Sequence, residues 1–172
     1  DGSVISNENG IEYLALRPLL TDYVLSMPRG AAIVYPKDAA NIITMGDIFP
    51  GAAVIEAGVG SGALSMYLLR AIGHEGKLTS IERREEFAEI AQANAATAFG
   101  QRPQNWDVKI GDFQDVVPVA IAKESIDRIV LDMLAPWECL EAVNHALISG
   151  GLLTCYVATV TQLSRLAEAI RD

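Results

Sequence analysis

The spacing of hydrophobic positions along this chain changes near residue 50. Beyond it, short continuous apolar runs alternate with stretches in which apolar residues recur every three to four positions. Continuous runs are typical of strands buried on both faces, and the longer spacing is typical of helices packed on a sheet. We therefore expect an α/β fold, a doubly wound, mainly parallel Rossmann-like sheet with helices on both faces. The pattern predicts strands at 53–57, 77–82, 106–110, 126–132 and 151–157, and helices at 62–72, 84–98, 136–147 and 160–171.

The segment before this alternation has a different organisation. Residues 1–17 are short, mixed and turn-rich, and they predict the remnant of a small N-terminal β module with a hairpin turn at Asn7-Glu8-Asn9-Gly10. Residues 18–50 predict linking helices, the second of which begins at Pro36. Residues 51–172 then form the predicted cofactor-binding catalytic domain, in which Gly150-Gly151 is expected to cap the helix before the last strand.

Composition narrows the classes of protein that remain. A chain of 172 residues that is 51% hydrophobic can bury one substantial core. We expect no membrane span, because no apolar run approaches the length of about 18 residues that a span needs. Cys139 and Cys155 lack metal-ligand spacing, so we expect free thiols in a reducing compartment, the cytoplasm, and no metal site. The net charge of −9 is unfavourable for a surface that binds nucleic acid.

A glycine-rich turn joins the first predicted strand of this domain to its helix. Gly58, Gly60 and Gly62 allow the backbone to turn tightly and to approach a ligand at the helix N-terminus. Glu56, just ahead of the glycines, would repel a pyrophosphate but can accept a hydrogen bond from a cationic amine. The pattern favours S-adenosylmethionine over NAD(P), and a turn that binds no ligand remains an alternative.

Carboxylates follow the next strands at the same predicted edge. Glu82 ends the second strand, where an acid can bridge two ribose hydroxyls. Asp112 follows the third strand and can accept from an adenine amino group, with Phe113 as an apolar wall for the ring. Asp112 could also be an ordinary helix cap. The convergence of these acids on one ligand is more specific than any one of them.

The fourth strand ends in Asp132-Met133-Leu134-Ala135-Pro136-Trp137. This strand lies across the switch point from the glycine loop, so an acid at its end would face the reacting methyl group rather than the adenosine. Asp132 is therefore the predicted catalytic residue. Trp137 is either a wall of the site or an ordinary packing residue.

With these motifs, the chain resembles the class I S-adenosylmethionine-dependent methyltransferases. Within them it resembles the bacterial tRNA (adenine-58-N1)-methyltransferases, and most of all their actinobacterial members. The resemblance covers essentially the whole chain. It rests on the segments Tyr13-Leu14-Ala15-Leu16-Arg17-Pro18, Met27-Pro28-Arg29-Gly30, Tyr35-Pro36-Lys37-Asp38-Ala39, Glu56-Ala57-Gly58-Val59-Gly60-Ser61-Gly62, Asp132-Met133-Leu134-Ala135-Pro136-Trp137 and Tyr156-Val157-Ala158-Thr159-Val160-Thr161-Gln162.

The resemblance implies a role for several of these residues. The cofactor would be held by Ser61, Gly62, Ala63, Leu64, Glu82 and Asp112. Asp132 would be the catalytic acid, and Tyr35 would lie beside the target base. The implied substrate is N1 of adenosine 58 in the tRNA T-loop, and the implied assembly is a homotetramer.

The family fold also carries a fuller N-terminal β domain and a further pair of strands after the last helix. We expect both to be absent or truncated in this chain, which would then bind the cofactor but methylate tRNA poorly. Two alternatives remain: a small-molecule or protein methyltransferase, which the acidic charge favours, and a non-catalytic RNA-binding partner subunit. The second fits less well, because the glycine loop and its carboxylates are intact.

Overall fold

The computed structural model describes residues 1–171; Asp172, the last residue of the predicted catalytic domain, lies outside the described residues. The chain begins with an antiparallel hairpin of β1 (Ser3–Ser6) and β2 (Glu12–Ala15). Its turn is held by the Asn7 side chain, whose Oδ1 accepts from the backbone N–H groups of Asn9 (3.0 Å) and Ile11 (2.9 Å). The predicted hairpin is confirmed. Its apolar side chains are largely exposed, Val4 by 61% and Leu14 by 63%.

Two helices connect the hairpin to the main sheet, as predicted. They are α1 (Leu20–Ser26) and α2 (Pro36–Met45), and Pro36 occupies the first turn of α2, where its missing N–H is not needed. Val24 of α1 and Ala39 and Ile42 of α2 are buried. The segment between the two helices is irregular, and it lies against the edge of the sheet that carries the glycine loop.

A parallel sheet of five strands forms the centre of the molecule, in the order β5-β4-β3-β6-β7. The strand order reverses direction between β3 and β6, and ligands bind at such a switch point in open α/β sheets. The predicted fold class is therefore confirmed. The strands are β3 (Ala53–Ala57), β4 (Lys77–Glu82), β5 (Trp106–Ile110), β6 (Ile126–Asp132) and β7 (Leu147–Tyr156).

Helices cover both faces of this sheet. Because side chains alternate along a strand, Val54 and Ile55 enter different cores: Val54 packs in the core that includes α3 residues, and Ile55 packs with residues of α5 and α6. None of the helices in residues 1–171 has the length and apolar character required to cross a membrane. The remaining helices are α3 (Ala63–Ile72), α4 (Glu85–Phe99), α5 (Phe113–Ala120), α6 (Leu140–Ala146) and α7 (Val160–Arg171), with a 3₁₀ turn at Pro136–Cys139.

Some details differ from the sequence-based expectations. Helix α5 was not predicted, because Pro118 interrupts the helical pattern; burial of Phe113 and Val117 stabilises the short helix despite the proline. The predicted helix at 136–147 is divided into the 3₁₀ turn and α6.

The expected helix cap at Gly150-Gly151 is wrong. Both glycines lie within β7, which begins at Leu147. Ile126 pairs with Leu147 but Arg128 pairs with Leu152, so β7 carries extra residues in an irregular bulge. Gly150 adopts φ +81° there, a conformation that glycine tolerates best. The bulge is accommodated because β7 is an edge strand.

Candidate active site

The ends of β3 and β6 meet at the first glycine after β3. Gly58 has φ +89°, and a Cβ atom at this position would lie 1.9 Å from the carbonyl oxygen of Asp132. No residue with a side chain can therefore occupy position 58 without separating the two strand ends. This contact places the glycine loop beside the residue predicted to carry the chemistry.

The glycine loop leads directly into α3. Gly62, with φ +82°, is the N-cap of this helix, and a Cβ atom there would lie 3.0 Å from the Cβ of Ala91 on α4. The close packing explains why α3 can begin so near the sheet edge. The first N–H groups of a helix have no partner within the helix, so those of α3 are directed toward the site.

The irregular segment between α1 and α2 forms a roof over this loop. The Ser61 hydroxyl oxygen accepts hydrogen bonds from the backbone N–H groups of Gly30 (3.0 Å) and Ala31 (3.3 Å). The Asn94 amide on α4 donates to the carbonyl oxygens of Pro28 (2.9 Å) and Ser61 (3.0 Å). Ser61 and Asn94 together fix the roof to the glycine loop.

A cavity of about 10 Å³ lies between the roof and the loop. That volume accommodates about one water molecule, so a nucleoside-sized ligand must displace the roof or extend along the open edge. Five of the predicted site residues line this one cavity. The lining residues are Ala32, Ile33, Val34, Gly58, Val59, Ser61, Ala63, Leu64 and Asp132.

Glu56 is completely buried in the strand that leads to the loop. Its Oε2 atom accepts hydrogen bonds from the hydroxyls of Ser65 (2.8 Å) and Ser80 (2.7 Å), whereas Oε1 has no hydrogen-bond partner within residues 1–171. Burial raises the pKa of the Glu56 carboxyl to about 7; the two hydroxyls oppose this rise, and the charges of Asp132 and Glu82 add to it. Oε1 therefore keeps its capacity to accept a hydrogen bond.

Glu82 connects the end of β4 to the glycine loop. Its Oε2 accepts from the Gly60 N–H (3.1 Å), and its Oε1 accepts from the N–H groups of Arg83 (2.9 Å) and Arg84 (3.1 Å). A carboxylate has about four acceptor positions, so these three bonds leave about one. A ligand that offers two hydroxyls would therefore have to replace at least one of these backbone donors.

Asp112 and Phe113 follow β5, as predicted, but their surroundings differ. An Asp112 oxygen lies 2.5 Å from Nε of Arg83, whose side chain is largely exposed. Asp112 occupies the N-cap position of α5, as the alternative interpretation expected, but its side chain makes no capping hydrogen bond. Phe113 is buried in the core beneath α5 and presents no open face to a ligand.

Asp132 belongs to a second polar group at the edge. Burial raises the pKa of its carboxyl to about 6. Its neighbour in the adjacent strand is Tyr156, whose hydroxyl donates to Oδ2 of Asp38 (3.2 Å) at the start of α2. Asp38 also accepts from Nζ of Lys37 (2.6 Å). Tyr35, at the N-cap of α2, is 51% exposed beside this group.

The loop after Asp132 is tied to the start of α7. The Gln162 amide donates to the carbonyl oxygen of Leu134 (2.9 Å), and its Oε1 accepts from the N–H groups of Ala158 and Thr159. The Trp137 ring lies 4.2 Å beneath the guanidinium of Arg165, a cation–π contact. Trp137 thus packs on α7 as part of the loop's support.

The chain matches the family described as "tRNA methyltransferase complex GCD14 subunit" over residues 13–172. It belongs to this family. The predicted family resemblance is confirmed.

Relatives of this GCD14-family chain carry consistent names. The tRNA (adenine(58)-N(1))-methyltransferase TrmI of Thermus thermophilus is 35% identical over 168 residues, which are 98% of this chain and 64% of that protein. TrmI of Methanocaldococcus jannaschii, a tRNA (adenine(57)-N(1)/adenine(58)-N(1))-methyltransferase, is 29% identical and is matched over 68% of its length. The chain therefore spans about two thirds of the length of these curated relatives.

Solved structures agree with the fold. An S-adenosylmethionine-dependent O-methyltransferase of Thermotoga maritima superimposes with a TM-score of 0.86 at 33% identity, over 99% of this chain and 62% of its own. The tRNA (m1A58) methyltransferase TrmI of Aquifex aeolicus gives a TM-score of 0.81 at 26% identity, over 99% of this chain and 72% of its own.

Several residues that shape the site of this GCD14-family chain were not predicted. Ser65, Ser80 and Asn94 lie in helices and a strand whose pattern indicates ordinary core segments. Tyr156 and Asp38 occur in segments that carry the family resemblance, but no role was assigned to them. The signal for Ser65, Ser80 and Asn94 is a polar residue at a buried position of an otherwise apolar element, because such a residue requires a partner.

Proposed function

We propose that this protein transfers a methyl group from S-adenosylmethionine to N1 of adenosine 58 in the tRNA T-loop. The observation that carries the proposal is the position of Asp132, on the same cavity as the glycine loop and in contact with Gly58. Membership of the GCD14 family also supports the proposal. A shared fold alone would not indicate this chemistry, so the residues of the site are needed as well.

The donors and acceptors at the edge fit this cofactor. Glu56, Glu82, Asp112 and Asp132 make the edge rich in carboxylates, which suits a cationic sulfonium and ammonium and disfavours a pyrophosphate. The free Oε1 of Glu56 is an acceptor for the ammonium group, and the N-terminus of α3 can receive the carboxylate of the same amino acid. Glu82 would accept from a ribose hydroxyl, and Asp112 from the adenine amine once Arg83 moves aside. The bound cofactor supplies an electrophilic methyl group.

Asp132 would act on the substrate base. Adenine N1 would use its lone pair to form the new bond to the methyl carbon, and S-adenosylhomocysteine would leave with the electron pair of the broken sulfur–methyl bond. This direct transfer needs no covalent intermediate on the protein. The ring becomes cationic as the bond forms, and an ionised Asp132 that accepts from the exocyclic amine stabilises this charge. With a pKa of about 6, Asp132 is mostly ionised at neutral pH. Alignment of the two reactants supplies much of the remaining acceleration.

Tyr35 would receive the target base. The adenosine must leave the folded T-loop to reach the edge of the sheet, which resembles base flipping. The exposed ring of Tyr35, next to the roof and to Asp38, offers a surface on which an extruded base can stack.

The proposal extends to partners and location. We propose that tRNA is the partner and that the protein assembles as a tetramer. A net charge of −9 gives little attraction for tRNA phosphates, so the proposed partner rests on membership of the GCD14 family and not on the charge of the chain. We place the protein in the cytoplasm. Two free thiols support this location; burial raises the pKa of Cys139 to about 11 and that of Cys155 to about 12, which suppresses their reactivity.

One alternative has specific support. The acidic charge favours a small-molecule or protein substrate on the same scaffold. Against it stands the Tyr35-to-Asp38 segment, because Asp38 accepts a hydrogen bond from the hydroxyl of Tyr156, the strand partner of Asp132.

A methyl-transfer assay distinguishes these functions. The protein is incubated in excess with labelled S-adenosylmethionine and an unmodified tRNA transcript, and the nucleosides are identified by mass spectrometry. The proposal predicts 1-methyladenosine at position 58, none in a transcript with uridine at that position, and none with Asp132→Ala. Labelling of small molecules or proteins from an extract, with tRNA unlabelled, would favour the alternative.

A further inference from the structure

Four buried polar side chains, those of Trp106, Ser80, Glu56 and Ser65, form a continuous line of hydrogen bonds from β5 to α3. The Trp106 indole N–H on β5 donates to the Ser80 hydroxyl oxygen on β4 (2.7 Å), and Ser80 donates to Oε2 of Glu56 on β3 (2.7 Å). The Ser65 hydroxyl on α3 donates to the same oxygen (2.8 Å). Ser80, Glu56 and Ser65 are 0% exposed and Trp106 is 4% exposed.

The direction of these bonds has a chemical consequence. Each hydroxyl has one proton to donate, and both serine protons are directed to the same carboxylate oxygen. Because Trp106 donates to Ser80, the Ser80 oxygen is used as an acceptor and its proton is left for Glu56. The line therefore favours the ionised carboxylate and leaves Oε1 as its free acceptor.

Packing of the core alone does not require this line. A buried carboxylate with one oxygen unpartnered lowers the stability of the fold, and apolar residues of similar size would fill the same space. Register places Ser80 directly opposite Glu56 in the β3–β4 pair, two residues before the glycine loop begins. The strand end is thus built to present one oxygen of Glu56 in a fixed orientation.

We infer that Ser65 and Ser80, with Trp106 behind Ser80, are positioning residues that keep Glu56 ionised and oriented for the ammonium group of the cofactor. The inference rests on the proposed function and adds residues that act through Glu56 rather than on the ligand itself.

The electrostatic surroundings make this support necessary. Burial acts against the charge of Glu56, and so do the carboxylates that face it from neighbouring strands, Asp132 on β6 and Glu82 on β4. The two serine hydroxyls are the groups that favour the charged form. Loss of one hydroxyl therefore weakens ammonium binding most where Glu56 begins to be protonated, at and below a pH of about 7.

Calorimetric titration of single variants tests the inference. Two ligands are compared: S-adenosylhomocysteine, which carries the amino acid, and 5′-methylthioadenosine, which lacks it. For Ser65→Ala and Ser80→Ala we expect binding of S-adenosylhomocysteine to weaken about tenfold near pH 6 and less near pH 8.5, because a hydrogen bond to a charged group is lost. Binding of 5′-methylthioadenosine should stay at the wild-type level. Ser80→Thr restores the hydroxyl and should rescue binding.

Thr79→Val is the matched control. Thr79 is a buried hydroxyl residue adjacent to Ser80, and its side chain points to the opposite face of β4. It should bind both ligands as the wild type does. Ser80→Ala leaves the Trp106 N–H without its acceptor and could therefore fail to fold. Ser65→Ala does not affect Trp106, so it tests the inference independently.

Equal weakening for both ligands, or unchanged affinity for both, would overturn the positioning role. If the folded wild type binds neither ligand, the proposed cofactor is wrong and the inference fails with it. If the wild type binds and the serine variants match it at both pH values, the cofactor assignment stands and the positioning role alone is wrong.

Discussion

The carbonyl oxygen of Asp132 occupies the space that a Cβ atom would need at Gly58, with a separation of 1.9 Å. The glycine of the cofactor loop and the proposed catalytic acid are therefore in direct contact across the switch point of the sheet. Their contact explains how a turn after β3 and a side chain after β6 come to share one cavity.

Gly58→Ala should abolish cofactor binding. The added methyl group must push the end of β6 away, which displaces Asp132 and opens the loop. Gly51→Ala is the matched control, because Gly51 has the same φ of +89° with nothing within 4 Å of the added atom. It should cost about 1–3 kcal/mol of stability from backbone strain alone and leave ligand affinity unchanged.

Thermal unfolding and titration with S-adenosylhomocysteine measure the two effects separately. Equal affinities for the two alanine variants would show that the contact between Gly58 and Asp132 has no bearing on the site.

Asn94→Ala should loosen the roof and weaken cofactor binding. The variant loses both hydrogen bonds that join Pro28 and Ser61, and it leaves two carbonyl oxygens without this donor. Asn105→Ala is the control, because the Asn105 amide also bridges two carbonyl oxygens, those of Gly73 and Gly76, at the opposite edge of the sheet.

Both asparagine variants should lose about 1–3 kcal/mol of stability. Only Asn94→Ala should also raise the Kd for S-adenosylhomocysteine and increase hydrogen exchange in residues 28–34. A raised Kd in Asn105→Ala of the same size would mean that general destabilisation, and not the roof, controls affinity.

Asp132→Asn should reduce methyl transfer while leaving the cofactor bound. Loss of one preorganised electrostatic partner typically lowers kcat by about 10²–10³-fold. The pKa of Asp132 is about 6, and its ionised carboxylate is the active form. The wild-type rate should therefore rise with pH through this value and then level off. The pH–rate profile of the variant should lack this rise. Asp115→Asn, at an exposed position on α5, should keep the wild-type rate and profile.

Glu56→Gln should change the pH dependence of stability. The pKa of Glu56 rises from 4.5 to about 7 on folding, so the folded state holds this proton more tightly. The free energy of unfolding is therefore higher below pH 4.5 and falls as the pH rises to about 7, by an amount on the order of 3 kcal/mol.

Glu56→Gln removes this titration, so it should gain stability relative to wild type as the pH rises from about 4.5 to about 8. Denaturant unfolding at several pH values measures the difference, with the exposed Glu89→Gln as control. The same Glu56→Gln variant should bind the cofactor poorly. A constant stability difference across this pH range would contradict the raised pKa.

The positions of the site residues could be predicted because their chemistry is local. Gly58, Glu82, Asp112 and Asp132 each end or follow a predicted strand, and the carboxyl ends of parallel strands meet at one edge. The alternation of strands and helices predicts a doubly wound parallel sheet, a class of fold in which ligands bind at a switch point; the strand order itself is read from the structure. The roles of these residues toward the cofactor stay predictions.

Other features depend on contacts that no local pattern shows. Asn94 acts through carbonyl groups more than 30 residues away in sequence. Ser80 acts on Glu56 of the neighbouring strand, and it accepts from Trp106 on a third strand. Phe113 follows a strand as a ligand-binding aromatic would, but the core beneath α5 has space for it and buries it. The bulge at Gly150 is tolerated because it lies in an edge strand. A pair of glycines in the sequence is equally compatible with such a bulge and with a helix cap.

Calorimetric titration with S-adenosylhomocysteine tests the central claim most directly. The wild type and Glu82→Ala are titrated with this ligand and with NAD, and the fold of each protein is verified by its thermal unfolding. The structure predicts binding of S-adenosylhomocysteine by the wild type, loss of that binding in Glu82→Ala, and no binding of NAD. Binding of NAD, or no binding of S-adenosylhomocysteine by the folded wild type, would contradict the assignment of this edge as a methyl-donor site.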